Sequence, residues 1–485
     1  MKKKKQVRSW SGVLVVTVVM RPDKFSCPHN CHYCPNEPGQ PRSYLSSEPA
    51  VMRANQNDFS AVKQFNSRLN MLRANGHTLN KIEIIVLGGT FSSYPRSYQQ
   101  EFIRDLFYAA NVYHSDIKRA PHGLLCEQKE NETAMHRIIG ISLETRPDCI
   151  TKHELLRFRN LGCTRVQIGL QNTNDEILEY INRGHTVQQS IDAIKLLRNY
   201  GFKVDVHIMP DLPGTTPEKD KEMFKLILDT PEFKPDYLKI YPCLDVDFTE
   251  IRKWKQNKTW TPYSERDNGK ILLDVCMHAK KLSKYYIRFN RIQRDFPEER
   301  HDVLGYSSEN IRSNFRQILQ IHCKKNNVFC KCIRCCEVKL NQFGPFSIFV
   351  EKYTASNGKE FFICAGNRTR EILYGFVRLR LSRENINNSA LIREIHVYGS
   401  LQDIHSKSKE FTQHRGIGKL LMRFAEFYAF FHGYNRICVI SGVGVRNYYR
   451  KLGYSYLNPG QYMFKEIKFQ NFIYSCLIII WFYIK

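Results

Sequence analysis

Three cysteines stand close together near the start of the chain, in Cys27-Pro28-His29-Asn30-Cys31-His32-Tyr33-Cys34, separated by three and then two residues. Three thiolates on one short loop can each hold one iron of a 4Fe-4S cluster and leave the fourth iron open. An open iron can chelate the amino and carboxylate groups of S-adenosylmethionine, whose reductive cleavage yields a 5′-deoxyadenosyl radical. A zinc site lacking its fourth ligand, or plain structural cysteines, is the blander reading of the same spacing. Sixteen cysteines in 485 residues are too sparse for a small secreted disulfide scaffold. Several sit in short-spaced groups, so metal ligation in a reducing compartment is expected.

A second constellation lies far downstream. Gln413-His414-Arg415-Gly416-Ile417-Gly418 opens a helix in which Ile417, Leu420, Leu421, Phe424, Tyr428 and Phe431 recur at three- and four-residue intervals. Backbone N–H groups at a helix N-terminus, beside glycines that permit close approach, suit a pyrophosphate. Asn447-Tyr448-Tyr449-Arg450 follows after one more strand. The net charge of +26 suits a polyanionic partner, although the abundance of Lys, Asn, Ile and Tyr also fits an AT-rich genome.

The elements that must position these groups can be read from apolar periodicity. Short β-rich runs at Val13–Met20, Ile82–Leu87, Gly140–Leu143, Val166–Leu170, Val204–Met209, Tyr237–Tyr241 and Ile287–Asn290 alternate with helical segments. One helix starts at Thr186 as N-cap and stops at Gly201. Alternation of this kind predicts parallel βαβ units closed, or nearly closed, into a barrel whose reactive groups gather at the C-terminal strand ends. Unusual groups do follow the runs: Gly88-Gly89-Thr90, Glu144-Thr145-Arg146, Gln171, His207, then Lys239 and Tyr241. The barrel is assigned residues 1–300, a cysteine-rich linker 301–344, and a second α/β domain 345–468 with strands near Gly375–Leu381, Ala390–Val397 and Arg436–Ile440. An apolar tail, 469–485, ends the chain. Its thirteen uncharged residues, Phe472–Ile484, would span about 20 Å as a helix, short of a roughly 30 Å bilayer core. A packing segment is the preferred reading and a tail anchor the alternative. The basic start resembles a signal peptide only superficially, having no small-residue cleavage site.

The cysteine triad in this context resembles the radical S-adenosylmethionine superfamily. That resemblance assigns Gly88, Gly89 and Thr90 to the loop nearest the cofactor's amino end, with Glu144, Arg146, Gln171 and His207 lining the rest of its pocket. The Gln-x-x-Gly-x-Gly helix resembles the GNAT acetyltransferase fold. The expected fold is therefore α/β: a radical SAM (βα) partial TIM-type barrel followed by a GNAT domain. Together with Val86-Leu87-Gly88-Gly89-Thr90-Phe91, Asn182-Arg183-Gly184-His185-Thr186, Arg291-Ile292-Gln293-Arg294-Asp295 and Ser441-Gly442-Val443-Gly444, the pair resembles the catalytic-subunit family of the Elongator complex. The matched region covers about Ser11 to Phe464.

That resemblance implies a tRNA wobble-uridine carboxymethyl synthase. The adenosyl radical takes hydrogen from the acetyl group of acetyl-CoA, the carbon radical adds to uracil, and hydrolysis releases the product. It further implies acetyl-CoA contacts at Lys81, Glu394, Ile395, His396, Val397, Gly416, Ile417, Gly418 and Tyr448, with Tyr448 or Tyr449 beside the thioester. Cys330, Cys332 and Cys335 resemble a zinc-holding linker of some members, with the fourth ligand open among His322, Cys323 and Cys336 and free thiols the alternative. The expected partners are tRNA, other Elongator subunits and a second copy of the chain, and the expected compartment is cytoplasmic, with the nucleus also open. A protein lysine acetyltransferase would leave the triad idle, and a non-catalytic tRNA scaffold would leave both signatures unexplained.

Overall fold

The computed structural model describes residues 11–25, 27–294, 314–339, 343–399, 416–456 and 462–468. The basic start, the Asp295–Pro297 part of one motif, Gln413 to Arg415 and the apolar tail lie outside the described residues.

The first sheet has seven parallel strands in sequential order: β1 Leu14–Val19, β2 Lys81–Leu87, β3 Arg137–Thr145, β4 Cys163–Gln171, β5 Lys203–Ile208, β6 Tyr237–Ile240 and β7 Arg288–Ile292. Parallel neighbours need crossover connections, and helices such as Ala61–Ala74, Arg96–Val112 and Val187–Asn199 supply them. The last begins with a full capping box between Thr186 and Gln189, which satisfies two otherwise orphaned backbone donors. β2 shows how the sheet is built. Ile82, Ile84 and Val86 are buried in one core with Phe65, Phe102 and Leu106, while Lys81, Glu83, Ile85 and Leu87 alternate onto the other face. That other face is the barrel interior, and much of it is polar.

The second sheet is mixed, in the order β13-β14-β12-β11-β10-β9-β8. Its strands are β8 Ser347–Ala355, β9 Gly358–Gly366, β10 Leu373–Leu381, β11 Ala390–Val397, β12 Arg436–Val439, β13 Ser455–Tyr456 and β14 Met463–Glu466. Pairing of β11 with β12 is parallel and stops at Ile392 opposite Val439. Beyond that point the strands diverge, and one edge of Arg393–His396 is left without a strand partner among the described residues. The helix Ile417–Phe431 packs Leu421, Phe424, Ala425 and Tyr428 into the core.

Residues 314–339 do not run free between the two sheets. Phe315, Leu319 and Cys323 recur every fourth residue along the helix Phe315–Lys325 and are buried, and the Ile333 N–H donates to the Ile287 carbonyl at 2.9 Å. A buried charge network joins the sheets. Arg393 binds both oxygens of Asp236 at 2.6 and 2.7 Å and also reaches Glu360 at 3.0 Å, and Arg378 pairs with Glu394 at 2.9 Å. Burial works against ionisation of Asp236, but Arg393 and Arg378 outweigh it and hold the carboxyl below its ordinary range. The turn Gly442-Val443-Gly444 lies directly on the start of β3, where a side chain on Gly442 would overlap the Ile139 carbonyl. Among the described residues no helix is long and apolar enough to cross a membrane.

Candidate functional site

The two sequence constellations fall at opposite ends of the first sheet. The loop carrying the cysteines leaves the C-terminal end of β1 and is tied down by its backbone. His32 N–H donates to the Ile181 carbonyl at 3.0 Å, and the His32 carbonyl accepts from Glu250 and Ile251 N–H at 2.9 and 3.1 Å. Cys31 is buried, with Cys27 and Cys34 partly so. Two buried guanidiniums face the Cys31 sulfur: Arg183 at 3.6 Å and Arg146 at 3.9 Å. Arg183 also donates to the Gly169 carbonyl at 2.7 Å, and Arg146 donates to the Arg183 carbonyl at 2.8 Å and to Asp148 at 2.9 Å. Buried cations need anionic partners, and thiolate ligands with their cluster would supply that charge. The triad, its clamped loop and these cations fit a 4Fe-4S group.

Around this loop stand the residues expected to line the S-adenosylmethionine pocket. At Gly88 an added Cβ would lie 2.6 Å from the Tyr94 hydroxyl, and at Gly89 it would lie 3.1 Å from the Arg42 carbonyl. Protein neighbours therefore already use the room those glycines leave. Thr90 is buried. Glu144 accepts from the Tyr44 hydroxyl at 2.5 Å, and burial raises its carboxyl above the ordinary range. Gln171 ends β4 with φ of 70°. His207 donates its Nε2–H to the Gln167 carboxamide oxygen at 3.2 Å; burial and then Lys239 push its imidazole well below 6.5, so it is neutral. Sequence reasoning gave Arg183 no role, although it stands inside a quoted motif. A lone basic residue after a short helix gives no signal until the fold brings it to Cys31.

At the other end, a cavity of about 550 Å³ lies between the two sheets. Its barrel wall comes from strand starts, including Lys81, Glu83, Arg165, Lys203 and Tyr237, and its other wall from Glu394–Val397, Gly416–Lys419, Tyr448 and Tyr449. Gly416 caps the helix with φ of 83°, and an added Cβ there would meet nothing within 4 Å. The first-turn amides, the part of β11 that diverges from β12 and the lysines Lys81 and Lys419 fit a phosphate-bearing coenzyme. Tyr448 is partly exposed, its hydroxyl pushed up to about 12 by burial, and it stands where a Cβ on Gly418 would lie 2.8 Å away. Tyr449, also on the cavity wall, is buried with its ring 5.9 Å from that of Tyr454. The side chains of Glu394 and His396 are bonded to other groups at the cavity: Glu394 to Tyr237 and, behind it, Arg378, and His396 to the Ser11 carbonyl at 2.8 Å.

Between the ends, the lumen holds paired polar groups: Glu83 with Arg165 at 3.2 Å, Asn290 donating to Asp205 at 3.0 Å, and Lys239 donating to Gln167. The alternation of charged and apolar residues within β2 and β5 was the available signal for this inward polarity.

A third cluster lies beside β7. The sulfurs of Cys330, Cys332 and Cys335 all fall within 4.8 Å of one another, close enough to share one ion. His322 pairs with Asp274 at 2.8 Å, whereas Cys323 and Cys336 are buried thiols on the same elements.

Comparison with known proteins places this arrangement. Residues 25–227 match the Radical SAM superfamily. A Methanocaldococcus jannaschii protein named tRNA uridine(34) acetyltransferase is 39% identical, the match covering 96% of this chain and 86% of its own. Human Elongator complex protein 3 is 35% identical with the same coverage of both chains, 96% and 86%. The solved structure of Methanocaldococcus infernus Elp3 with an N-terminal deletion superposes with a TM-score of 0.79 at 34% identity, covering 94% of this chain and 100% of that one. The chain belongs to the radical SAM family that contains tRNA uridine(34) acetyltransferase and Elongator complex protein 3.

Proposed function

We propose that the protein attaches an acetyl-derived carboxymethyl group to the wobble uridine of tRNA. The observation that carries this reading is the cavity shared between the sheets. Its coenzyme wall is β11 beyond the point where β12 diverges from it, and its opposite wall is the barrel itself, so a thioester laid on β11 faces the lumen. A protein lysine acetyltransferase would want the thioester open to solvent.

When bound, a 4Fe-4S cluster with S-adenosylmethionine supplies a carbon-centred radical, and Cys27, Cys31 and Cys34 would hold that cluster. Arg183 and Arg146 balance the charge of its thiolates. Glu144, Arg146, Gln171 and His207 would orient the nucleoside and amino-acid parts of S-adenosylmethionine, with Gly88, Gly89 and Thr90 along its amino end. At the far end, Ile417 and Gly418 amides and Lys419 would hold the pyrophosphate, β11 the pantetheine arm, and Tyr448 the thioester. Lys81 would add a further coenzyme contact. The charge of +26 suits an RNA substrate whose phosphates supply affinity. We assign zinc to Cys330, Cys332 and Cys335, as a brace for the segment packed on β7.

Nucleoside analysis of tRNA from cells with and without the protein tests the assignment. Carboxymethyl-uridine derivatives are expected to vanish without it, and an unchanged nucleoside profile refutes it.

A further inference from the structure

The carboxamide of Gln293 is not used by either site described above. Gln293 follows β7, is 2% exposed, and has φ of 77°, a backbone region that side-chain-bearing residues seldom occupy. Neither its Oε1 nor its Nε2 has a hydrogen-bond partner among the described residues. A buried amide with donor and acceptor both unmet is costly, and a strained backbone adds to the cost. Such a group calls for a partner beyond the protein's own atoms, a water or a ligand.

The register places this amide. β6 and β7 pair Lys239 with Arg291 and Ile240 with Ile292, and the Gln293 N–H donates to the Ile240 carbonyl at 2.9 Å. Lys239 reaches Gln167 inside the barrel, and the register shift beside it lets both Asn290 and its neighbour Arg291 lie on the interior face, which Gln293, two residues beyond Arg291, shares. The next residue, Arg294, lies over the Tyr44 ring at 5.5 Å, and Tyr44 donates to Glu144. Gln293 thus stands at the C-terminal mouth of the lumen. The groups assigned to S-adenosylmethionine come from β2 to β5, which leaves the β7 end of the rim for the substrate base.

We propose that Gln293 reads the imide edge of the substrate uracil, Oε1 accepting from N3–H and Nε2 donating to a ring carbonyl. A planar carboxamide matches that adjacent donor and acceptor with two parallel hydrogen bonds. This rests on uridine in tRNA being the substrate.

The test uses anaerobically reconstituted full-length protein and an anticodon stem-loop bearing uridine or N3-methyluridine at the reactive position. Blocking N3–H is expected to cost the wild type at least tenfold in kcat/KM. Gln293→Met should lose at least tenfold on uridine and be indifferent to the methyl group. Its thermal midpoint and its affinities for S-adenosylmethionine and acetyl-CoA should stay unchanged, because methionine of similar volume removes only unpaired groups. Gln293→Glu, which keeps the acceptor for N3–H but sets a carboxylate oxygen against the ring carbonyl, should lose as much on uridine as the methionine variant. A methionine variant that modifies uridine at the wild-type rate overturns the proposal. So does one that weakens S-adenosylmethionine instead, since Gln293 would then serve the cofactor. A wild type inert on both stem-loops overturns the uridine reading and this proposal with it.

Discussion

Substituting Gly416 by alanine separates two effects that usually travel together. Gly416 sits at φ of 83° with no atom of the described residues within 4 Å of where a Cβ would point. Alanine there should cost about 1 kcal/mol of backbone strain, a drop of a few degrees at most in the thermal midpoint. That strain is present with and without coenzyme and cancels in the dissociation constant. Any change in acetyl-CoA affinity therefore reports only whether an anion approaches this backbone. A charge-assisted hydrogen bond is worth about 1.5–3 kcal/mol, so its loss should weaken binding by about ten- to a hundredfold. Gly418→Ala behaves differently. Its Cβ would lie 2.8 Å from the Tyr448 hydroxyl, but alanine is the better helix former by about 1 kcal/mol, so stability should hold while turnover falls as Tyr448 is displaced. Calorimetric titration with acetyl-CoA and thermal melts measure both variants. Gly416→Ala with a lowered midpoint and unaltered acetyl-CoA affinity would refute the placement of the anion site.

Cys31→Ala should lose the cluster's visible absorbance and 5′-deoxyadenosine production while acetyl-CoA affinity is retained, which optical spectra and calorimetry check. Gly442→Ala should disrupt the docking of the second sheet on β3, seen as faster limited proteolysis between the two halves; wild-type resistance would contradict the contact. Burial raises the Glu132 carboxyl, but hydrogen bonds from Tyr456, Arg450 and Arg446 outweigh it and hold it below its ordinary value. Its contribution to stability is therefore complete above pH about 4.3 and is lost as pH falls through the lowered folded value. Glu132→Gln should flatten that part of the melting-temperature profile. Elemental analysis should find zinc alongside iron in the wild type and no zinc in Cys332→Ser.

The strands of the first sheet were legible because β-branched runs between helical segments leave few other options. β8 and β9 were not read: Ser347–Ala355 is half-exposed along most of its length and mixes charge with apolar residues, so no run stands out. The residues 314–339 read as a linker because cysteines and lysines dominate locally, whereas the fourfold spacing of Phe315, Leu319 and Cys323 decides the packing. The cysteine triad and Gly416-Ile417-Gly418 were legible as chemistry because their spacing is local. Arg183 and Gln293 were not, since each acquires its role only from strands distant in sequence.

The distance between the two ends constrains what the lumen must be. From Lys81 to Gly88 along β2 is seven residues, about 23 Å at the usual rise, so a thioester at one end and a radical source at the other cannot meet across a packed core. Ordinary barrels fill this space with layers of branched apolar side chains. Here Glu83 with Arg165, Gln167 with Lys239, and Asp205 with Asn290 occupy the same layers. Apolar residues of similar volume would often be as stable or more so, so stability alone gives no reason for this polarity. Paired polar groups can part and re-form around an incoming acetyl group or base, which a hydrocarbon core cannot do without leaving cavities. On the proposed function the barrel interior belongs to the reaction path, and its polar pairs are where the two ends would become one site.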